Sequence, residues 1–166
     1  MQYLFKLCPY FLALYLLLIG ISLGAALASG AFTAPSIFRA AEIVQNLEIT
    51  TFQSGILMTS IFIKLNFLLN ILALYIIIYE TILSFYKEKF TPLLGLINVI
   101  LIFLFTLYYT PLIVEAQISG EDSLYNESFV AMHHQSVLVF KTLIIGLCVL
   151  FIYRVLKVIN SGYKGK

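Results

Sequence analysis

The chain has 166 residues, 61% of them hydrophobic and only 11% charged, with a net charge of +2 and a mean hydropathy of +1.01. A water-soluble domain would carry about a quarter charged residues, so this composition excludes a soluble fold and makes lipid the solvent for most of the surface. The small positive balance gives no reason to expect nucleic acid as a partner, and with no linker-like or repeated stretch the length bounds the chain to a single domain, residues 1–166.

In chain order, four apolar stretches reach the roughly 20 residues that cross about 30 Å of hydrocarbon. They run over 10–33, 52–79, 92–114 and 131–155, which predicts an all-α, up-down-up-down bundle of four membrane-spanning helices. The first stretch follows Lys6 and contains Ala26-Leu27-Ala28, as a cleaved leader would. Its apolar run exceeds the roughly 7–15 residues of a leader's core, so it is expected to remain as a span. Pro9 and Pro92 suit a first helical turn, with Thr91 as a cap for the second, whereas Pro35 and Pro111 should stop or kink the first and third helices. Cys8 and Cys148 sit in apolar surroundings and suggest no disulfide.

Along the first helix, Gly20, Gly24 and Ala28 recur every four residues. Small residues at this spacing let helices approach closely in lipid; packing within the bundle is the expectation and dimerisation the alternative. The segment 36–49 reads as a short outer interfacial helix, with Ile37, Phe38, Ala41 and Val44 on one side and Arg39, Glu42, Gln45 and Asn46 on the other. With no Trp in the chain, Tyr3, Tyr10, Tyr79, Phe85, Tyr86, Tyr108 and Tyr109 are the candidates for the interfacial belt.

In the second helix, at 100° per residue, Gln53, Ser60 and Lys64 fall on one stripe and Thr59, Asn66 and Asn70 on the opposite one. Lipid satisfies neither stripe, so both are expected to meet protein. In the fourth helix, His134, Lys141 and Cys148 follow at seven-residue intervals. Lys64 and Lys141 both lie about 14–18 Å into the membrane, where a charge is expensive and usually faces a cavity or partner. No helix centre supplies an Asp or Glu. A shared polar pocket for a small anion, snorkelling, and neutral lysine all remain open. Met132, His133 and His134 stand at the outer mouth of the fourth helix, where water-exposed imidazoles are the plain reading. With Met58 they form a weak candidate set for copper(I), and haem ligation has no support from spacing. No cofactor is predicted.

Orientation follows the Lys and Arg count: Lys6, Lys87, Lys89, Arg154, Lys157, Lys164 and Lys166 fall on one side and Arg39 alone on the other. Both termini are therefore expected in the cytoplasm. The loop 115–128 has no Lys or Arg, and its Asn126-Glu127-Ser128 fits a glycosylation acceptor of the kind common by chance.

Gly24-Ala25, Gly30-Ala31-Phe32, Ala34-Pro35-Ser36-Ile37-Phe38, Gln53-x-Gly55 and Ile61-Phe62-x-Lys64-x-Asn66, with His133-x-x-Ser136 opening the last helix, resemble the bacterial membrane-protein family called domain of unknown function 4149. That family is more distantly similar to copper-resistance D proteins and to haem-binding membrane protoporphyrinogen oxidases. The resemblance implies a bacterial inner-membrane protein of unassigned activity and highlights Pro35, Phe38, Gly55, Asn66, His133 and Ser136; His134 and Lys64 have no clear place in its pattern. The leading functional expectation is a permease-like or ligand-binding protein, with enzymatic activity disfavoured but left open, and with an outward-facing polar cavity built from Lys64, Lys141, His133, His134, Asn66, Gln53, Ser60 and Ser136. A haem or copper redox protein and an assembly factor acting through a homo-oligomer or membrane partner are the alternatives.

Overall fold

The computed structural model describes residues 2–84 and 90–163, with side-chain surroundings for 9–82 and 90–160. No strand occurs among the described residues. The helices are α1 (Gln2–Leu27), α2 (Ala34–Phe38), α3 (Ala40–Ile43), α4 (Thr51–Ser84), α5 (Phe90–Phe103), α6 (Thr110–Ile118) and α7 (Glu127–Tyr163). Wide π turns join α1 to α2 (Ala28–Thr33) and α5 to α6 (Leu104–Tyr109). Four spans are long and apolar enough to cross a membrane: Pro9–Phe38, Thr51–Ile82, Phe90–Ile118 and Glu127–Asn160. The first packs on the second and fourth, and the third packs on the same two. The molecule is an all-α membrane helical bundle whose successive spans are neighbours, as short connections require.

The prolines kink without stopping. Pro35 and Pro111 lack an N–H, and their rings crowd the carbonyl four residues back. The helix relaxes by widening one turn upstream, where Ala34 donates to Ser29 O and Thr110 donates to Phe105 O, five residues back in each case. Hydroxyls add to this: Thr33 Oγ1 donates to Ala28 O (3.0 Å), and Thr110 Oγ1 donates to Phe105 O (2.9 Å), which also accepts from Thr110 N. In hydrocarbon every backbone group must find an internal partner, so the helices continue to Phe38 and Ile118. Pro9 likewise lies inside α1, and Thr91 is buried within α5 instead of capping it.

Three further expectations are corrected. The interfacial helix over 36–49 is absent: α2 only continues the first span, α3 is four residues long, and Asn46 turns the chain at φ 63°. Gly20, Gly24 and Ala28 are exposed, and a Cβ on Gly24 would meet nothing within 4 Å. The inward face of the first span is instead Tyr15, Ile19, Ser22, Ala26 and Ser29. Tyr79 and Tyr109 are buried and so cannot serve the belt, whereas Tyr10 and Tyr108 are exposed. Only the backbone of Tyr3, Lys6 and Cys8 is described, and Phe85, Tyr86, Lys87, Lys89, Lys164 and Lys166 fall outside the described residues; Cys148 is a free thiol.

The core takes Leu65, Leu69, Leu72 and Ile76 from the second span, Val99, Ile102 and Phe105 from the third, and Phe140, Leu143, Leu147 and Leu150 from the fourth. These recur at spacings of three and four, the inward stripe of a helix. A polar ladder joins the second and third spans: Gln117 Nε2 donates to Thr59 Oγ1 (2.9 Å), Asn66 Nδ2 to Thr110 Oγ1 (2.9 Å), and Thr106 Oγ1 to Asn70 Oδ1 (2.9 Å). The stripe of Thr59, Asn66 and Asn70 is therefore satisfied by protein. The opposite stripe is not covered, since Gln53, Ser60 and Lys64 are exposed. Gln53 acts locally instead. Thr50 N donates to its Oε1 (3.0 Å) and its own N donates to Thr50 Oγ1 (3.1 Å), a capping box that starts α4.

Candidate functional site

The two π turns and their prolines lie toward the end of the bundle that carries the connections 39–50 and 119–126, here the loop end. There the spans part around a cavity of about 750 Å3, within the roughly 300–1,000 Å3 usual for small-molecule sites. Its floor is aromatic. Phe62, Phe105 and Phe140 stand with ring centroids 4.9–5.6 Å apart, edge-on or tilted. Gly30 makes this floor fit, because a Cβ there would come within 3.0 Å of Phe140 Cε1.

The turn Glu121–Tyr125 roofs the cavity with Leu124 and Tyr125. Gly120 enters it at φ 107°, a conformation that favours glycine, and Ser123 Oγ bonds back to Ala116 O and Gly120 O. Along one wall Gln117 is held by Thr59, and Thr110 is reached through its bond from Asn66. Along the other, α7 contributes His133, His134, Ser136, Val137 and Lys141. His133 stacks on Phe129 (5.9 Å, 8° between planes), and buried Ser136 donates to His133 O at 2.7 Å.

Of the residues singled out from sequence, Lys141, His133, His134, Ser136, Phe38, Gly55, Met58 and Thr59 line this cavity. Lys64, Gln53, Ser60 and Met132 do not, and Asn66 bears on it only through Thr110. The cavity is mostly apolar, contrary to the polar pocket expected, because the second span turns its amides toward the third span. It also holds one of the two mid-membrane lysines, not both. Among the described residues no three His, Cys, Asp or Glu converge as metal ligands.

Sequence reasoning missed a second polar centre at the opposite end. Arg154 Nη2 on the fourth span meets Glu80 Oε2 on the second at 2.5 Å, and Tyr15 on the first donates to Glu80 Oε1 at 2.7 Å. Tyr79 stacks on Tyr15 (4.4 Å) and lies under the Arg154 guanidinium (5.5 Å). Gly95 on the third span leaves room for the carboxylate stem: a Cβ there would stand 2.7 Å from Glu80 Cγ. All four spans thus meet at this pair, with Glu80 and Arg154 exposed by only 4% and 3%. Arg154 counts in the sequence as one more flanking charge. The signal that could have found it is its phase, on the same stripe as Leu143, Leu147 and Leu150, together with Glu80 as the one acid between 52 and 82.

The chain belongs to the family described as domain of unknown function (DUF4149), which matches residues 17–122. The match begins within the first span, covers the second and third spans and the start of the roof turn, and stops short of His133 and Ser136. Neither a curated protein nor a solved structure matches the chain.

Proposed function

We propose that this DUF4149 member binds an amphiphilic small molecule at the loop end, its apolar body on the aromatic floor and its polar head beside His133, His134 and Lys141. The observation that carries this reading is the cavity itself: about 750 Å3 in which apolar walls are interrupted by a few polar groups, with the cationic or basic ones, His133, His134 and Lys141, on α7, the usual make-up of a ligand site. The excess of Lys and Arg at the terminal end supports a cytoplasmic location for both termini and an outward-facing cavity in the inner membrane. A permease-like activity would require the end held by Glu80 and Arg154 to open in turn.

Two experiments test this. Ala31 lines the cavity, so Ala31→Trp should fill it without touching the core. In purified protein it should abolish heat protection by added membrane lipid extract while leaving the unliganded midpoint within a few degrees. Undiminished protection would overturn the binding reading. For orientation, a reporter enzyme active only outside the cytoplasm should work when inserted in 120–128 and fail after Lys166. Equal activity at both places would reject the assignment.

A second reading is favoured by one observation, that Met58 on the second span and His133 and His134 on the fourth line the same cavity. Haem or copper held there would give a Soret band or stoichiometric copper that disappears in the His133→Ala and His134→Ala variants.

A further inference from the structure

Lys141 lies two to three residues from the midpoint of Glu127–Asn160, about 4 Å along the axis, and Lys64 lies as close to the midpoint of Thr51–Ile82. At that depth the nearer headgroup layer is about 11 Å from the backbone, farther than a lysine stem extends. Both lysines are exposed, and no carboxylate among the described residues forms an ion pair with either. Their surroundings differ: Lys141 lines the cavity, whereas Lys64 is on the outer face of the second span.

Side chains on a helix lean toward its N-terminus, which for α7 is the loop end. The Lys141 stem therefore runs up the cavity wall toward His134, two turns and about 10 Å above it on the same stripe. At this level the cavity is floored by Phe62 and Phe105, with Phe140 beside Lys141 on α7 itself. On the first span Leu27, Ala31 and Ala34, and on the fourth Val137, Lys141 and Ile144, line the cavity at helical spacing, so the seam between these spans is one of its edges. Glu121 is the acidic residue lining the cavity, placed in the roof turn and accepting from Tyr125 OH at 3.4 Å. A negative head is thus favoured deep in the cavity and disfavoured at the roof.

Building on the amphiphile reading above, we propose that the ligand is a phosphate-headed anionic lipid, its head held between Lys141 and His134 and its apolar chain lying on the Phe62, Phe105 and Phe140 floor. A phosphate offers several acceptor oxygens to an ammonium and an imidazole two turns apart, and lysine binds phosphate as a point charge. A zwitterionic head would bring its own cation against Lys141.

The test uses the full chain in a neutral detergent, with thermal midpoints measured against increasing phosphatidic acid and against phosphatidylcholine of the same acyl chains. Phosphatidic acid should protect at concentrations at least tenfold lower. Lys141→Gln should abolish that preference, Lys141→Arg should keep most of it, and Lys64→Gln, an equal charge change at equal depth outside the cavity, should leave it intact. Equal protection by the two lipids, equal losses in Lys64→Gln and Lys141→Gln, or equal potency of oleate and phosphatidic acid would each overturn the phosphate assignment. Ala31→Trp separates the two levels of argument. If it removes protection by both lipids while neither is preferred, the cavity reading stands and the phosphate assignment falls; if it changes neither, the cavity reading falls.

Discussion

The loop end and the terminal end of this bundle are made from the same kind of apolar helix, yet one opens into a cavity and the other closes on a salt bridge. At the loop end, Pro35 and Pro111 each widen the turn before them, and the displaced backbones leave space that Phe62, Phe105 and Phe140 line without filling. At the terminal end the helices stay regular, and glycine lets them come close: Gly95 accepts Glu80, and Gly146 accepts Asn98, whose Oδ1 would lie 2.6 Å from a Cβ there. The difference teaches how lipid-soluble helices divide their labour. Where no hydrophobic force draws helices together, polar contacts and small residues set where they close, and backbone defects set where they part.

The largest effects should come from the closed end. Arg154→Met leaves the Glu80 carboxylate buried without its cation, and a loss of about 3–5 kcal/mol is expected for one partner of a buried pair. The double variant Glu80→Gln with Arg154→Met should recover most of it. Thermal or denaturant unfolding in detergent reads both, and additive losses would mean that the two residues do not act as a pair. Next comes Gly95→Ala, whose new methyl would collide with a Glu80 stem pinned by Arg154 and Tyr15. Overpacking of this kind costs about 1–3 kcal/mol, whereas Gly24→Ala on the exposed stripe should be silent. An equal loss in the two variants would remove the contrast between the packed and unpacked faces.

Those residues also mark where sequence reading succeeds and fails. The four spans are legible because an apolar run of this length has few other uses, and His134 and Lys141 share a cavity wall because helical phase survives folding. Phase alone could not say which polar stripe of the second span is covered: the Asn66 and Asn70 side meets Thr106 and Thr110 of the third span, while Lys64 is left outside. The prolines were legible as defects, but not as wide turns through which the helix continues, because that outcome depends on the backbone having no water to turn to. The segment 36–49 has the pattern of an amphipathic helix, and Arg39 (φ −111°, ψ 18°) and the left-handed Asn46 break it. The Glu80 and Arg154 pair was hidden by its separation of 74 residues and by reading an arginine near a helix end as a topology signal.

The smallest expected effect is in the polar ladder between the two ends. A double-mutant cycle on Asn66→Leu and Thr110→Val should give a coupling of about 0.6 kcal/mol, since hydrogen bonds between helices in lipid are individually weak. A coupling near zero would mean that the ladder positions the cavity wall without holding it.

The central claim is that one end of the bundle is open and the other shut, and thiol accessibility tests it most directly. In protein with Cys8 and Cys148 replaced by Ala, single cysteines are placed at Ile113 on the cavity wall and at Ile76 in the closed core, 1% exposed. A membrane-impermeant thiol reagent offered from both sides should modify Ile113→Cys, more slowly when lipid is bound, and should leave Ile76→Cys unmodified. Rapid modification of Ile76→Cys with Ile113→Cys protected would contradict the account.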